Sequence, residues 1–192
     1  MEVYLAFLRG INVAAANRIK MADLRKVFSD LGFTEVQTYI QSGNVIFCSP
    51  AADKHKIASQ IEQAVLTSFG FQSPVIIRTV PEISAIVQEA ARAAKEIAGD
   101  ENTSSPAIFE YLHIAMYSGI LPPGVMERLD AMKSGQEACI LSGQEIFLYL
   151  PSGVHASKLA AGISRLGLPV TVRNWKTIHY LAQAVHNPMD GK

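Results

Sequence analysis

The sequence is poor in the features that usually announce a function. Two cysteines and one tryptophan occur among 192 residues. Two thiols exclude a disulfide-dense scaffold and cannot supply a four-sulfur zinc site. Net charge is absent as well, because 17 basic and 17 acidic side chains cancel. That balance argues against a protein that coats nucleic acid nonspecifically, since such binding rests on a net basic surface. No apolar run approaches the roughly 18 residues that a membrane helix needs. The Met1-Glu2 start lacks a basic stretch followed by an apolar one. No signal peptide is therefore expected, and a cytoplasmic location without membrane association is. The 49% apolar content is enough to bury a core as one large or two small domains. Cys48 and Cys139 each interrupt an apolar, strand-like run. Both are expected to be buried, reduced thiols; a disulfide or metal pair is the competing reading.

What the chain does have is repetition. Ile40-Gln41-Ser42-Gly43-Asn44-Val45-Ile46-Phe47 returns as Ile140-Leu141-Ser142-Gly143-Gln144-Glu145-Ile146-Phe147. A second echo follows each copy, Pro74-Val75-Ile76-Ile77-Arg78 against Pro169-Val170-Thr171-Val172-Arg173. Two matches in the same order point to a duplicated unit spanning 1–80 and 110–174. The expected superposition places Ser42-Gly43 over Ser142-Gly143 and Arg78 over Arg173.

Each half reads as strand, helix, hairpin, helix, strand. Val3 to Leu8 is too short for a helix and apolar throughout, as in a strand buried on both faces. Met21, Leu24, Val27, Phe28 and Leu31 fall at helical spacing before Gly32. Val36–Ile40 and Val45–Cys48 flank a turn, Ile57 to Phe69 gives a second helical stripe, and Val75–Ile77 a closing strand. Thr79-x-x-Glu82 has the form of a capping box opening a third helix. The second half repeats the order: strand Tyr111–Met116, helix Val125–Met132, hairpin Ala138–Leu141 and Ile146–Leu150, helix Leu159–Leu166, strand Val170–Val172. Asn174 caps a last helix ending near Val185.

The polar stretch 98–109 serves as the linker between a first repeat with its helix (1–97) and a second with its C-terminal helix (110–192). The resulting class is α+β, with tandem ferredoxin-like βαββαβ repeats, antiparallel sheets in the order 4-1-3-2 and added helices.

This topology brings Arg9-Gly10-Ile11-Asn12, the start of the first helix and the Gln41–Asn44 hairpin to one sheet edge. The Arg9–Lys20 connection is about twelve residues long, well above the usual strand–helix loop. Its counterpart, Tyr117 to Gly124, is shorter and carries two prolines. Arg9, Arg18 and Lys20 make the long loop basic, beside a helix N-terminus that offers N–H groups to an anion. The plainer alternative makes Asn12 and Asn44 turn residues, Arg9 an ion-pair partner and Ser42 a cap on its own backbone. A second cluster lies at Lys158, Arg165, Arg173 and Lys176, within a stretch from Ala156 to Tyr180 that has no acidic residue. Here too a plain reading competes, with Trp175 as a core aromatic and Asn174 as a helix cap. The two clusters could line one cleft if the repeats pack about a pseudo-twofold.

Catalytic templates fail. His55, His113, His155, His179 and His186 are dispersed, with no metal-ligand spacing. There is no phosphate loop, dinucleotide fingerprint or nucleophile elbow, and no pattern calls for a cofactor. Amides combined with arginine and lysine describe binding more readily than acid–base chemistry.

The runs Leu8-Arg9-Gly10-Ile11-Asn12-Val13, Met21-Ala22-Asp23-Leu24, Thr38 to Val45 and Val172-Arg173-Asn174-Trp175-Lys176-Thr177 resemble a widespread bacterial domain family of unknown function, number sixteen ninety-seven. The resemblance implies the tandem ferredoxin-like arrangement and no activity, substrate or cofactor. It marks Arg9, Asn12, Lys20, Gln41, Ser42, Asn44, Lys158, Arg173, Asn174, Trp175 and Thr177 as signature polar positions. One departure stands out. Where the family carries glycines and a lysine, this chain reads Ala14-Ala15-Ala16, which weakens the idea of a tight phosphate-cradling loop.

Three functions compete. The leading one is a binding module for a small anionic ligand, or a short nucleic-acid segment, in a cleft between the repeats; neutral charge favours the small ligand. The others are an interaction or scaffold protein with an exposed strand edge, and an enzyme of unidentified reaction.

Overall fold

The computed structural model describes residues 1–13, 16–99 and 107–186. Ala14, Ala15 and most of the expected linker, residues 100–106, lie outside the described residues. The first sheet comprises β1 (Glu2–Leu8), β2 (Thr34–Tyr39), β3 (Asn44–Ser49) and β4 (Val75–Thr79), in the order β2-β3-β1-β4. The second comprises β5 (Leu112–Tyr117), β6 (Ala138–Ser142), β7 (Glu145–Tyr149) and β8 (Val170–Asn174), in the order β6-β7-β5-β8. Every pairing is antiparallel. Both sheets thus have the split-βαβ order that the element sequence dictated.

The first sheet packs one face against α1 (Met21–Asp30) and α2 (Lys54–Phe69). Tyr4, Ala6, Leu8 and Phe47 meet Leu24, Phe28, Ile57 and Ile61 there. The aromatic rings interlock, with Phe47 4.7 Å from Phe33 and 5.2 Å, edge-on, from Phe28. Asp53 caps α2 by accepting from the His55 and Lys56 amides, and Gly70 ends it at φ +76°. The second sheet packs likewise on α5 (Val125–Asp130) and α6 (Lys158–Ile163), through Ala115, Ile146 and Leu148 against Val125, Leu129 and Ile163.

Three helices lie outside these sandwiches: α3 (Val80–Ala98), the short α4 (Ala107–Tyr111) and α7 (Trp175–Ala184). Backbone contacts divide the chain after Glu82, so most of α3 counts with the second unit, whereas the sequence reading attached it to the first. The capping box forms as written: the Thr79 amide donates to Glu82 Oε2 (2.8 Å) and the Glu82 amide to Thr79 Oγ1 (3.4 Å). Burial alone would raise the Glu82 carboxyl, but its bonds to Lys54 and to the Thr79 amide outweigh burial and hold it low. Asn174 Oδ1 accepts from the Thr177 amide at 2.9 Å and so caps α7. Two local elements went unread in the sequence, α4 and a single 3₁₀ turn at Val154–Ala156.

The register corrects one expectation. Leu5 pairs with Arg78 and Ile114 with Arg173, so those arginines are true equivalents. The hairpin echo is not. Phe7 pairs with Asn44 while Met116 pairs with Glu145, which sets Asn44 opposite Glu145 rather than Gln144. Phe47 therefore faces the helices, whereas Phe147 shares the opposite face with Ile114. The second hairpin turns in two residues, Gly143 and Gln144, against four in the first, and that shift moves every echoed side chain across the sheet.

The cysteines divide as well. Both are free. Cys139 is buried and donates to Asp130 Oδ1 at 3.2 Å; burial, then Asp130, push its thiol up to about 12. Cys48 is only half-buried, contrary to expectation, because it lies on the sheet face away from α1 and α2, opposite Val3. Burial and Glu35 raise its thiol too. A thiol reagent should modify Cys48 first, and Cys139 only as fast as the protein unfolds, a difference that site-resolved mass spectrometry reads directly. For the cap, Asn174→Ala should lower unfolding free energy by about 1 kcal/mol while Asn174→Asp restores it, measured by chemical denaturation.

Candidate functional site

The long loop after β1 is built by its asparagines. The Leu8 amide donates to Gly43 O (2.8 Å), fastening the end of β1 to the β2–β3 hairpin. Gly43 has φ +75°, and a Cβ there would stand 2.9 Å from both Leu8 Cβ and Ile11 Cδ1. The position needs glycine for both reasons. Asn12, at φ +53°, uses its whole carboxamide: Nδ2 donates to Ile19 O (3.0 Å) and Gln41 O (2.9 Å), and Oδ1 accepts from the Ile19 amide (2.8 Å). Asn17 Nδ2 donates to Gly10 O (3.0 Å), and Ser73 Oγ to Arg9 O (2.8 Å). In the hairpin, fully buried Asn44 donates to Ser42 Oγ (2.9 Å) and Tyr39 O (3.2 Å). The Arg9–Asn12 segment and the Gln41–Asn44 hairpin thus meet, with the Asn12 carboxamide committed to backbone and that of Asn44 donating to Tyr39 O and Ser42 Oγ. Arg9 is half-buried; Arg18, Lys20 and Gln41 are exposed.

The cluster is also strained. Gly10, Asn12, Asn17, Ile40 and Gly43 all adopt left-handed φ, between +48° and +75°. Glycine and asparagine tolerate this; Ile40 does not, because a β-branched side chain crowds its own carbonyl there. Ile40 nevertheless stands 52% exposed, and Val13 across the Asn12 bridge 59%. Helix α1 opens from Lys20, whose backbone is extended and whose side chain offers no acceptor to the first-turn amides. Asp23 supplies one negative charge in that turn. Backbone N–H groups, two exposed cations and two exposed apolar side chains therefore lie on the segments that the Asn12 carboxamide joins.

The second unit places its signature residues differently. Lys158 is exposed at the start of α6, whose cap is Ser157 Oγ accepting from the Ala160 amide (3.0 Å). Arg173 lies on the sheet face away from α6 and donates to Thr171 Oγ1 (2.7 Å) and Val172 O (2.9 Å). Burial lowers its guanidinium to about 10, which leaves it charged at neutral pH. Asn174 and Thr177 form the α7 cap, and Trp175 stacks on His179 and meets Phe109 at a tilt. Ser142, the echo of Ser42, is clamped instead by Glu89 and Arg92 of α3. Its bond to Glu89 holds that carboxyl low. Among the described residues, no three His, Cys, Asp or Glu side chains gather as a metal site would need. None of the described helices is long and apolar enough to cross a membrane.

A family model described as "Protein of unknown function (DUF1697)" matches residues 1–147. The chain belongs to the DUF1697 family. The match takes in the first three of the four motifs and stops before Val172–Thr177. A conserved bacterial protein of Streptococcus pneumoniae has a similar solved structure, at TM-score 0.68 and 24% identity over 95% of this chain and 97% of that one. At that identity the likeness concerns the fold. No curated protein matches the chain.

Within this DUF1697 chain, sequence reasoning reached Asn12 and the hairpin but overlooked Ile40 and Val13. An isoleucine just before Gln41-Ser42-Gly43 was legible only as the end of a strand. Asn12→Ala should cost about 1–3 kcal/mol, since it strands the Ile19 amide and two carbonyls. Ile40→Asn should instead stabilise by about 1 kcal/mol, because asparagine tolerates the left-handed region and little burial is lost. Paired urea melts would show the two effects with opposite sign.

Proposed function

We propose that this protein is a binding module for a small anionic ligand, held at the loop end of the first sheet. What supports the reading most is the uncapped start of α1: its first-turn amides open from Lys20, where a capping acceptor would normally stand. An anion there completes hydrogen bonds that the Lys20 side chain cannot supply, and Arg18 and Lys20 add charge. The asparagine bridges keep the loop in one geometry, so ordering costs on binding are small. Strain at Ile40 fits the same view, since left-handed non-glycine residues persist where the surroundings over-determine them and gather at functional sites. Arg9, Ser42 and the exposed Gln41 flank the position, and no acid–base group is required.

The test is thermal unfolding of the full chain with phosphate, sulfate, mononucleotides and a short single-stranded oligonucleotide. Ligand at about a hundred times Kd adds about 2.7 kcal/mol, a readily visible rise in Tm. Lys20→Ala and Gln41→Ala, both at exposed positions, should melt like the wild type without ligand and lose that rise. If no anion moves the wild-type Tm, the reading fails; a rise with the oligonucleotide alone replaces it with single-strand binding.

A further inference from the structure

Within the second unit, α3 and α7 border an open cavity of about 630 Å³, where Gln88, His179, Gln183 and His186 are exposed to solvent. That volume lies inside the range of small-molecule sites. Ser84, Val87 and Gln88 line it from α3; His179, Gln183 and His186 line it from α7 and the turn that follows. Among the described residues, no Asp, Glu, Lys or Arg contributes to this wall, so the chemistry on offer is apolar surface plus amide, hydroxyl and imidazole donors and acceptors. His179, Gln183 and His186 recur at i, i+4 and i+7, and Ser84 and Gln88 at i and i+4, so each helix presents one face. At one end Ser84 Oγ and His186 Nε2 are 3.4 Å apart.

A column of ring contacts, one tilted and one stacked, ends at the cavity wall in His179. Phe109 lies 4.9 Å from Trp175, and Trp175 stacks on His179 at 5.1 Å with 29° between planes. The Gln183 carboxamide nitrogen lies 3.1 Å from His179 Nε2. With Gln183 donating, Nε2 is the acceptor and the His179 proton sits on Nδ1. The ring is thus held in one plane at the cavity wall.

We propose that this cavity binds a planar heteroaromatic ring of the nucleobase class, stacked on the column through His179 and read along its edge by Gln88 and Gln183. Stacking on an aromatic platform recognises any flat π-surface. Carboxamides, which donate and accept side by side, match the mixed edge of a nucleobase better than an anion. The proposal does not rest on the anion position of the first unit.

Trp175 is the single tryptophan and belongs to the column, so intrinsic fluorescence reports occupancy. The full chain is titrated with adenosine, guanosine, cytidine and uridine, and with ribose 5-phosphate as the baseless control. Saturable quenching by at least one nucleoside and none by ribose 5-phosphate is expected. Equilibrium dialysis gives the affinity independently. Gln88→Ala with Gln183→Ala should weaken binding about tenfold or more, and His179→Phe, which keeps a stacking ring, should weaken it less than His179→Ala. Melting curves identify any variant that has lost its fold, and Lys20→Ala should bind nucleosides as the wild type does. Absence of saturable nucleoside binding in both assays overturns the proposal, as does a Gln88→Ala/Gln183→Ala variant that folds and binds unchanged.

Discussion

The central strand of each sheet sets the terms for everything around it. β1 is hydrogen-bonded along both edges and β5 likewise, and neither leaves a face to water: Tyr4, Ala6 and Leu8 are buried on the helix side, Leu5 and Phe7 on the other. A sheet with two buried faces must satisfy any polar group placed on them. Arg78, 4% exposed, meets this demand by donating from one guanidinium nitrogen to Ile77 O, its own preceding carbonyl. Arg173 makes the same bond to Val172 O at the equivalent register. An arginine repeating at one register position, buried in the first copy and half-buried in the second, with one self-strand bond in both, is stronger evidence of duplication than any string of matching letters.

The rigid end of β1 also explains how the strained loop survives. Gly43 is pressed against Leu8 and Ile11, and the Asn12 carboxamide links two segments 29 residues apart in sequence. Left-handed residues cost of order 1–3 kcal/mol each and persist only when more bonds fix them than the chain could break to relax. The asparagine bridges, the Leu8–Gly43 bond and the buried Ile11 supply that surplus. Holding exposed Ile40 in this state gains no core contact of comparable size. A surface role for the loop tip follows more naturally than a packing role.

The sequence was most readable where one local rule decides. Periodicity and caps gave the element order, and right-handed crossovers then left a single strand order, which the sheets adopt. Thr79, Asn174 and the Pro-led strands with Arg78 and Arg173 were legible because capping chemistry and strand length are local. The hairpin echo misled because identity does not encode turn length. A two-residue turn in place of a four-residue one goes with a displacement from the echo of one residue in β7 and three in β6, and alternation then carries Phe147 to the face opposite Phe47. Cys48 was misjudged for a related reason: an apolar neighbour on each side shows that a strand is present, not which face is covered. The meeting of Arg9–Asn12 with Gln41–Asn44 came from topology. That Asn12 would consume its carboxamide on backbone depended on the loop path, which no periodicity describes.

Duplication also bears on where the two copies diverged. α3 begins directly after β4 and α7 directly after β8, with Thr79 and Asn174 as caps at register positions equivalent across the sheets. They are therefore the same appended helix in two copies. Two such helices, each amphipathic, would close flush if their facing residues were all apolar and well fitted. Here Ser84, Gln88, His179 and Gln183 stand on the facing positions, and a cavity remains between the helices. Gln88, His179 and Gln183 are exposed there, so a ligand must replace the water on their polar groups with hydrogen bonds of its own. The first copy meanwhile spent its extra length on the β1–α1 loop, which its counterpart lacks. The elaborations thus fell on different elements and offer different chemistry: backbone amides and cations at the β1–α1 loop, carboxamides and stacked rings at the two appended helices.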